Sequence, residues 1–227
     1  MNASLLLLAD SRLPAGGHAH SGGLEPAVAA GAVTDVDELA DFLRGRLATA
    51  GLVAAALAAA ACAALADRTE GGPGWAGLDR EADARTPSPA QRRASRAQGR
   101  SLLRVARAAW PHSSLDALGS AAPDGPHHPL VLGAAAASAG GGPADAAAIA
   151  AYGAVTGPAS AAVRLLGLDP LAVNRALAAL APRVDAVAAE AAGCARGPWS
   201  GLPAPSAPLL DLHAENHLRS DLRLFES

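Results

Sequence analysis

Apolar residues in this chain recur every three or four positions, and no segment alternates apolar and polar residues with a period of two. The first spacing puts side chains on one face of a helix, whereas a half-buried strand requires the second. Leu5–Ala9 predicts a short helix that ends in a turned loop near Pro14. A new helix should begin around Ser21 or Gly22, with Ser21 as its cap and Glu25 in its first turn. The stretch Leu24–Ala30 should stop at Gly31, a residue suited to the left-handed turn after a helix. Thr34 or Asp35 then caps the longest helix, whose first turn holds Asp37 and Glu38. Val36, Leu39, Leu43 and Leu47 form its stripe; beyond Ala48 it is apolar nearly all round, which places that half centrally.

Asp67–Ala90 breaks the pattern with Gly71-Gly72-Pro73-Gly74, a cluster of charges and Thr86-Pro87-Ser88-Pro89. It predicts a polar loop with one short helical turn near Leu78–Ala84. Ser88 and Pro89 start a helix that runs to Trp110. Gly119–Pro129 is a second loop, and Leu130–Ala139 a short helix stopped by Gly140-Gly141-Gly142-Pro143. Asp145 to Leu166 is helical, with Gly157-Pro158 expected to kink or split it. Asp169-Pro170 opens another helix to about Ala195, which Pro182 bends. Arg196–Pro208 is a Gly/Pro loop, and Leu209–Ser227 a helical or extended end. The prediction is an all-α, single-domain Ala/Leu-rich helical bundle over residues 1–227, with loops near 67–90, 119–129 and 196–208.

Composition sharpens this picture. The 227 residues are 51% hydrophobic but 3% aromatic, and alanine supplies much of the difference. Small side chains favour closely packed helices over strands, which prefer branched and aromatic residues. Leu47–Ala66 is long enough to cross a membrane and carries no charge. Its five strongly apolar residues favour insertion by only roughly 0.3–0.6 kcal/mol each. A buried helix is therefore expected, with no membrane partner. The first apolar run is too short for a signal sequence and lacks basic residues before it, so a cytoplasmic location is expected. Cys62 and Cys194 lie in Ala-rich helical contexts and should be small buried hydrophobes in a reducing compartment.

All 18 basic residues are arginine, and the net charge of −3 argues against nucleic acid as a partner. Arg92, Arg96, Arg100 and Arg104 lie four apart, with Arg93 and Arg107 nearby. They stack charge on one helix face, which either docks an acidic partner or is simply solvated. No aromatic residues interleave with them to stack bases.

The densest chemistry is Asp10-Ser-Arg-Leu-Pro14-Ala-Gly16-Gly17-His18-Ala-His20-Ser21-Gly22-Gly23-Leu24-Glu25. His20, Ser21 and Glu25 offer a base, a nucleophile and a carboxylate for a small hydrolase, but they are close in sequence and no nucleophile elbow surrounds them. His18 and His20 offer metal ligands, but a His-x-His pair is weak evidence for a site that needs three or four ligands. The competing expectation is a shaped structural turn or a partner surface.

This stretch resembles the N-terminal signature of the UreF family of urease accessory proteins, with His18 at a position that is usually Phe or Tyr. Three further segments are similar to that family in the same order. They are Ala94-Ser-Arg-Ala-Gln-Gly99-Arg-Ser-Leu-Leu103, the pair His127-His-Pro-Leu-Val-Leu-Gly133 with Ala161-Ala-Val-Arg164-Leu-Leu-Gly167, and the closing Arg223-Leu224-Phe225-Glu226-Ser227. His217 keeps the family spacing ahead of that end, but Leu218 stands where a Glu is frequent. The resemblance implies a non-enzymatic all-α protein with no catalytic residues and no stably bound cofactor or metal. It implies a homodimer that bridges a UreD/UreH-like scaffold and a UreG-like GTPase, so that the complex passes nickel to apo-urease. A nickel-binding carrier is the alternative from a different class. The resemblance gives Arg223, Leu224, Phe225, His217 and Tyr152 to partner binding. Pro14, Gly16, Gly17, His20, Ser21, Gly23, Leu24 and Glu25 belong to the shaped N-terminal loop or a partner surface. Two of these carry an alternative: Phe225 folded back onto its own core, and Tyr152 buried and hydrogen-bonded.

Overall fold

A computed structural model describes residues 2–66, 74–220 and 223–225, and among them every regular element is helical. The order is α1 (Ala3–Ala9), α2 (Leu24–Ala29), α3 (Val36–Arg46), α4 (Leu52–Ala66), α5 (Trp75–Ala84), α6 (Pro89–Ala109), α7 (Ser113–Ala121), α8 (His128–Ser138), α9 (Pro143–Leu166), α10 (Pro170–Gly193) and α11 (Pro208–Leu218). One π-helical turn, Leu47–Gly51, joins α3 to α4 without a break in the rod. The expected all-α class is what the chain adopts. Residues 67–73 and their Gly-Pro cluster lie outside the described residues.

The caps follow from side-chain chemistry. Asp35 accepts from the Glu38 N–H at 2.9 Å, while Glu38 reaches back to the Thr34 N–H at 2.8 Å. Ser88 accepts from the Gln91 N–H, and Asp169 from those of Leu171 and Ala172. Apart from the Glu38–Thr34 bond, which ties down the residue before the cap, each satisfies a donor that the first turn of a helix leaves open.

The axis of the bundle is α4, ten of whose fifteen residues are alanine. It packs against α8, α9 and α10, so it is covered nearly all round, as its sequence requires. Methyl-sized side chains let backbones approach closely. A Cβ on Gly133 of α8 would lie 2.1 Å from the Ala58 carbonyl oxygen, so only glycine fits at that crossing. The α3 stripe joins the same core through the fully buried Leu39, Leu43 and Leu47, each worth roughly 2 kcal/mol of burial. The rods Val36–Ala66 and Pro143–Leu166 have the length and hydropathy of membrane spans, but 72% and 61% of their most apolar windows are buried inside the bundle. Both are core helices of this fold.

Five local expectations need correction. The loop expected over 119–129 is shorter, because Ser113–Ala121 forms α7 and α8 begins at His128. Cys194, expected to be buried, is only part-buried where α10 ends. The first turn of α2 begins at Leu24, not at Ser21 or Gly22, because Gly22 and Gly23 take φ of +64° and +88°, outside the helical region. The helical turn near Leu78–Ala84 is a ten-residue helix whose Trp75, Leu78 and Ala82 are buried. Gly157-Pro158 does not split α9, which runs unbroken to Leu166.

Candidate functional site

The unbroken course of α9 leads directly to the dense N-terminal stretch. Pro158 has no N–H, so the carbonyl four residues earlier, that of Ala154, loses its helical donor. Arg46 supplies one: its Nε donates to Ala154 O at 3.1 Å. Desolvation lowers this guanidinium to about 10, still charged at neutral pH. Gly22 packs over both partners. A Cβ there would lie 3.0 Å from Pro158 Cγ and 3.1 Å from Arg46 Nη2. The glycines of the loop thus serve close approach as well as positive φ.

The same loop aims Glu25 at the other end of the chain. Ser21 is fully buried, and its Oγ accepts from the Glu25 N–H at 3.1 Å. The Glu25 carboxylate accepts two backbone donors from the tail, Leu224 N–H at 2.7 Å and Phe225 N–H at 2.9 Å. His217 Nε2 stands 3.1 Å from the Phe225 carbonyl and 3.4 Å from Glu25 Oε2. Both neighbours of that nitrogen only accept, so it carries the ring proton. The Arg164 guanidinium carbon lies 4.7 Å from the Phe225 ring centroid, and Arg164 Nη1 donates to the His18 carbonyl at 3.4 Å. A cation over an aromatic face is attracted by the ring quadrupole.

The junction sorts the tail residues. Phe225 is 4% exposed and folds back on its own chain, and His217 is buried beside it. Leu224 is 70% exposed and Arg223 also faces outward. Leu24 is fully buried under the junction, whereas Pro14 and Gly17 are exposed and Gly16 turns the loop at φ +77°. Gly23 approaches Leu210 of α11: a Cβ would lie 3.2 Å from Leu210 Cδ2. Earlier in the loop, hydrogen bonds from Arg12 hold the Asp10 carboxyl down to about 2. Tyr152 stands apart on the outer face of α9, 51% exposed, so the buried alternative does not hold for it.

As chemistry, the loop is arranged for holding. Ser21 has no exposed surface and the Glu25 oxygens are engaged by the tail, so neither is presented to a substrate. His20 is half-buried and is a lesser cause of the low His128 pKa, about 4, which desolvation chiefly sets. Among the described residues, no three His, Cys, Asp or Glu side chains gather as a metal-binding set. Cys62 is buried, and desolvation pushes its thiol up to about 12.

A second polar cluster was not singled out from the sequence. His127 Nδ1 lies 3.0 Å from Ser95 Oγ and Nε2 lies 2.9 Å from Asp83 Oδ1. These are the distances of a Ser-His-carboxylate relay, but the ring is 1% exposed and Ser95 Oγ already accepts the His128 N–H at 3.2 Å. Arg96 pairs with Asp83 and Asp79 at 2.9 Å each. The cluster cross-links α5, α6 and the start of α8, and desolvation lowers the His127 pKa. The arginine stripe of α6 is therefore partly internal, since Arg96 turns inward and Arg92 donates to Thr86 O at 2.6 Å. The signal available in the sequence was the Asp79/Asp83 pair one turn apart. Nothing marked Ser95 as a member of that cluster, Arg46 as the donor to Ala154 O or Arg164 as the cation over Phe225.

The UreF family model matches residues 33–181. Proteins named urease accessory protein UreF are similar over nearly the full length. The one from Mycobacterium sp. (strain JLS) is 48% identical over 225 residues, 99% of this chain and 98% of its own length. That of Mycolicibacterium vanbaalenii is 46% identical over the same span. That of Mycobacterium tuberculosis is 44% identical over 215 residues, 95% of this chain and 93% of its own. The two 225-residue alignments take in both the N-terminal loop and the tail residues that meet at the Glu25 junction, and with the family match across the core they establish that this chain belongs to the UreF family of urease accessory proteins.

Proposed function

We propose that this chain acts in urease maturation by bridging a UreD/UreH-like scaffold and a UreG-like GTPase, in the cytoplasm and as a homodimer. It catalyses no reaction itself, and nickel is cargo that the complex passes to apo-urease, with no ion held stably by this chain. The observation that carries the reading is the build of the tail. Glu25, His217 and Arg164 hold Phe225 inward, which presents Arg223 and Leu224 outward on a fixed support. A pre-ordered tip loses little entropy on binding, and an exposed Arg beside an exposed Leu suits a protein contact. The exposed Tyr152 side chain adds an aromatic contact on the outer face of α9.

Co-purification tests this. The chain is expressed with UreD-like and UreG-like proteins, as wild type and as Arg223→Ala, which removes an outward side chain and leaves the junction intact. Wild type should form one complex, and Arg223→Ala should lose the GTPase and keep the scaffold. Wild type that binds neither partner sinks the bridging role. An Arg223→Ala complex of full composition and stability sinks the tail assignment alone.

A further inference from the structure

On the C-terminal half of α6, Arg100, Arg104 and Arg107 line one side of an open groove of about 760 Å³, closed on the other side by α7 and the loop after it. The groove is shaped by bare backbone. A Cβ on Gly119 would lie 2.7 Å from Arg107 Nη2, and one on Gly125, at φ +99°, would lie 2.6 Å from Arg100 Cγ. Two of the guanidiniums are held along the rim. Arg107 pairs with Asp116 at 2.8 Å, and Arg100 Nη1 donates to the Asp124 carbonyl at 2.5 Å. Between them Arg104 is exposed and makes no hydrogen bond or ion pair with the described residues. Leu103 and Pro123 give the groove an apolar lining.

The spacing selects the occupant. Seven residues of helix place Arg100 and Arg107 about 10 Å apart along the axis, so the charges follow a line and do not converge on one phosphate. An extended peptide advances roughly 3.3 Å per residue, and about three residues cover that line. Carboxylates on alternate positions would meet the arginines while an aliphatic side chain rests on Leu103. No aromatic residue lines the groove to stack a base.

We propose that this groove docks an extended acidic segment of a partner protein, with Arg104 as its ion-pair anchor. The groove lies at the far end of α6 from Ala90, where Glu215 of α11 is bound, about 20 Å along the helix. It is separate from the tail junction and stands independently of the bridging role.

The probe is a fluorescein-labelled heptapeptide, Glu-Asp-Leu-Asp-Glu-Leu-Glu, followed by anisotropy with the full-length chain. Binding should weaken as salt rises from about 50 to about 300 mM. Arg104→Glu should weaken it at least about fivefold, while Arg183→Glu, an equal charge change at an exposed position of α10, should leave it unchanged. Circular dichroism checks that both variants fold. Absence of binding, or equal losses in the two variants, overturns the proposal. So does displacement by sodium tripolyphosphate at lower concentration than by unlabelled peptide, because the groove would then take a compact anion.

Discussion

A proline inside a helix costs a hydrogen bond, and here the loss is made good by one side chain from another helix. Arg46 is that side chain, and the price of its partial burial is visible in its lowered pKa. Removing it leaves a buried carbonyl without a donor, which costs roughly 1–3 kcal/mol. Arg46→Met should therefore destabilise the chain by about 2 kcal/mol in urea denaturation. Pro158→Ala returns an N–H to α9, so the same Arg46→Met change should cost clearly less in that background. Equal costs in both backgrounds would mean that Arg46 acts through packing against Gly22 and not through the Ala154 carbonyl. The uncut course of α9 was illegible in the sequence for the same reason. Gly157-Pro158 is a local break signal, and its remedy is an arginine bonding the Ala154 carbonyl from 108 residues away.

Helices were legible where the signal is local. The stripe of α3, the caps at Asp35, Ser88 and Asp169, and the all-apolar run of α4 each state their element within one or two turns. The α5 helix was less so, because Trp75, Leu78 and Ala82 provide three apolar positions among charges. How elements cross is set by glycines whose meaning appears only in three dimensions. Gly133→Ala on α8 drives a methyl into the Ala58 carbonyl and should cost about 2–3 kcal/mol. Gly153→Ala on α9 meets nothing within 4 Å and should stabilise by about 0.5–1 kcal/mol. Thermal or urea denaturation of the two variants should give opposite signs. A shared sign would show that the α4–α8 crossing can spread to admit a methyl.

At the scale of the molecule, the candidate site is a meeting of segments 200 residues apart. Its residue types stood out in the sequence because His, Ser, Gly and Glu are dense against an alanine background. Their pairing did not, since nothing in Glu25 announces the amides of Leu224 and Phe225. Hydrogen bonds to a carboxylate are worth about 1.5–3 kcal/mol. Glu25→Ala should thus raise hydrogen exchange at the Leu224 and Phe225 amides by at least about tenfold, while most of the core keeps its protection. Unchanged exchange at those two amides would show that Phe225 burial alone holds the tail.

The alanine axis has a consequence at the level of the gene. In a core of leucines the harmful change is truncation, but α4 has little to truncate and every neighbour is already at contact. Alanine codons begin with GC, and their single transitions at the first or second base produce threonine or valine. Both are larger and branched at Cβ, so the commonest base changes in this stretch of coding sequence all push the helices apart. Variation at the buried alanines of α4 should therefore be restricted to exchanges with glycine, serine and cysteine, however freely the surface of the bundle drifts.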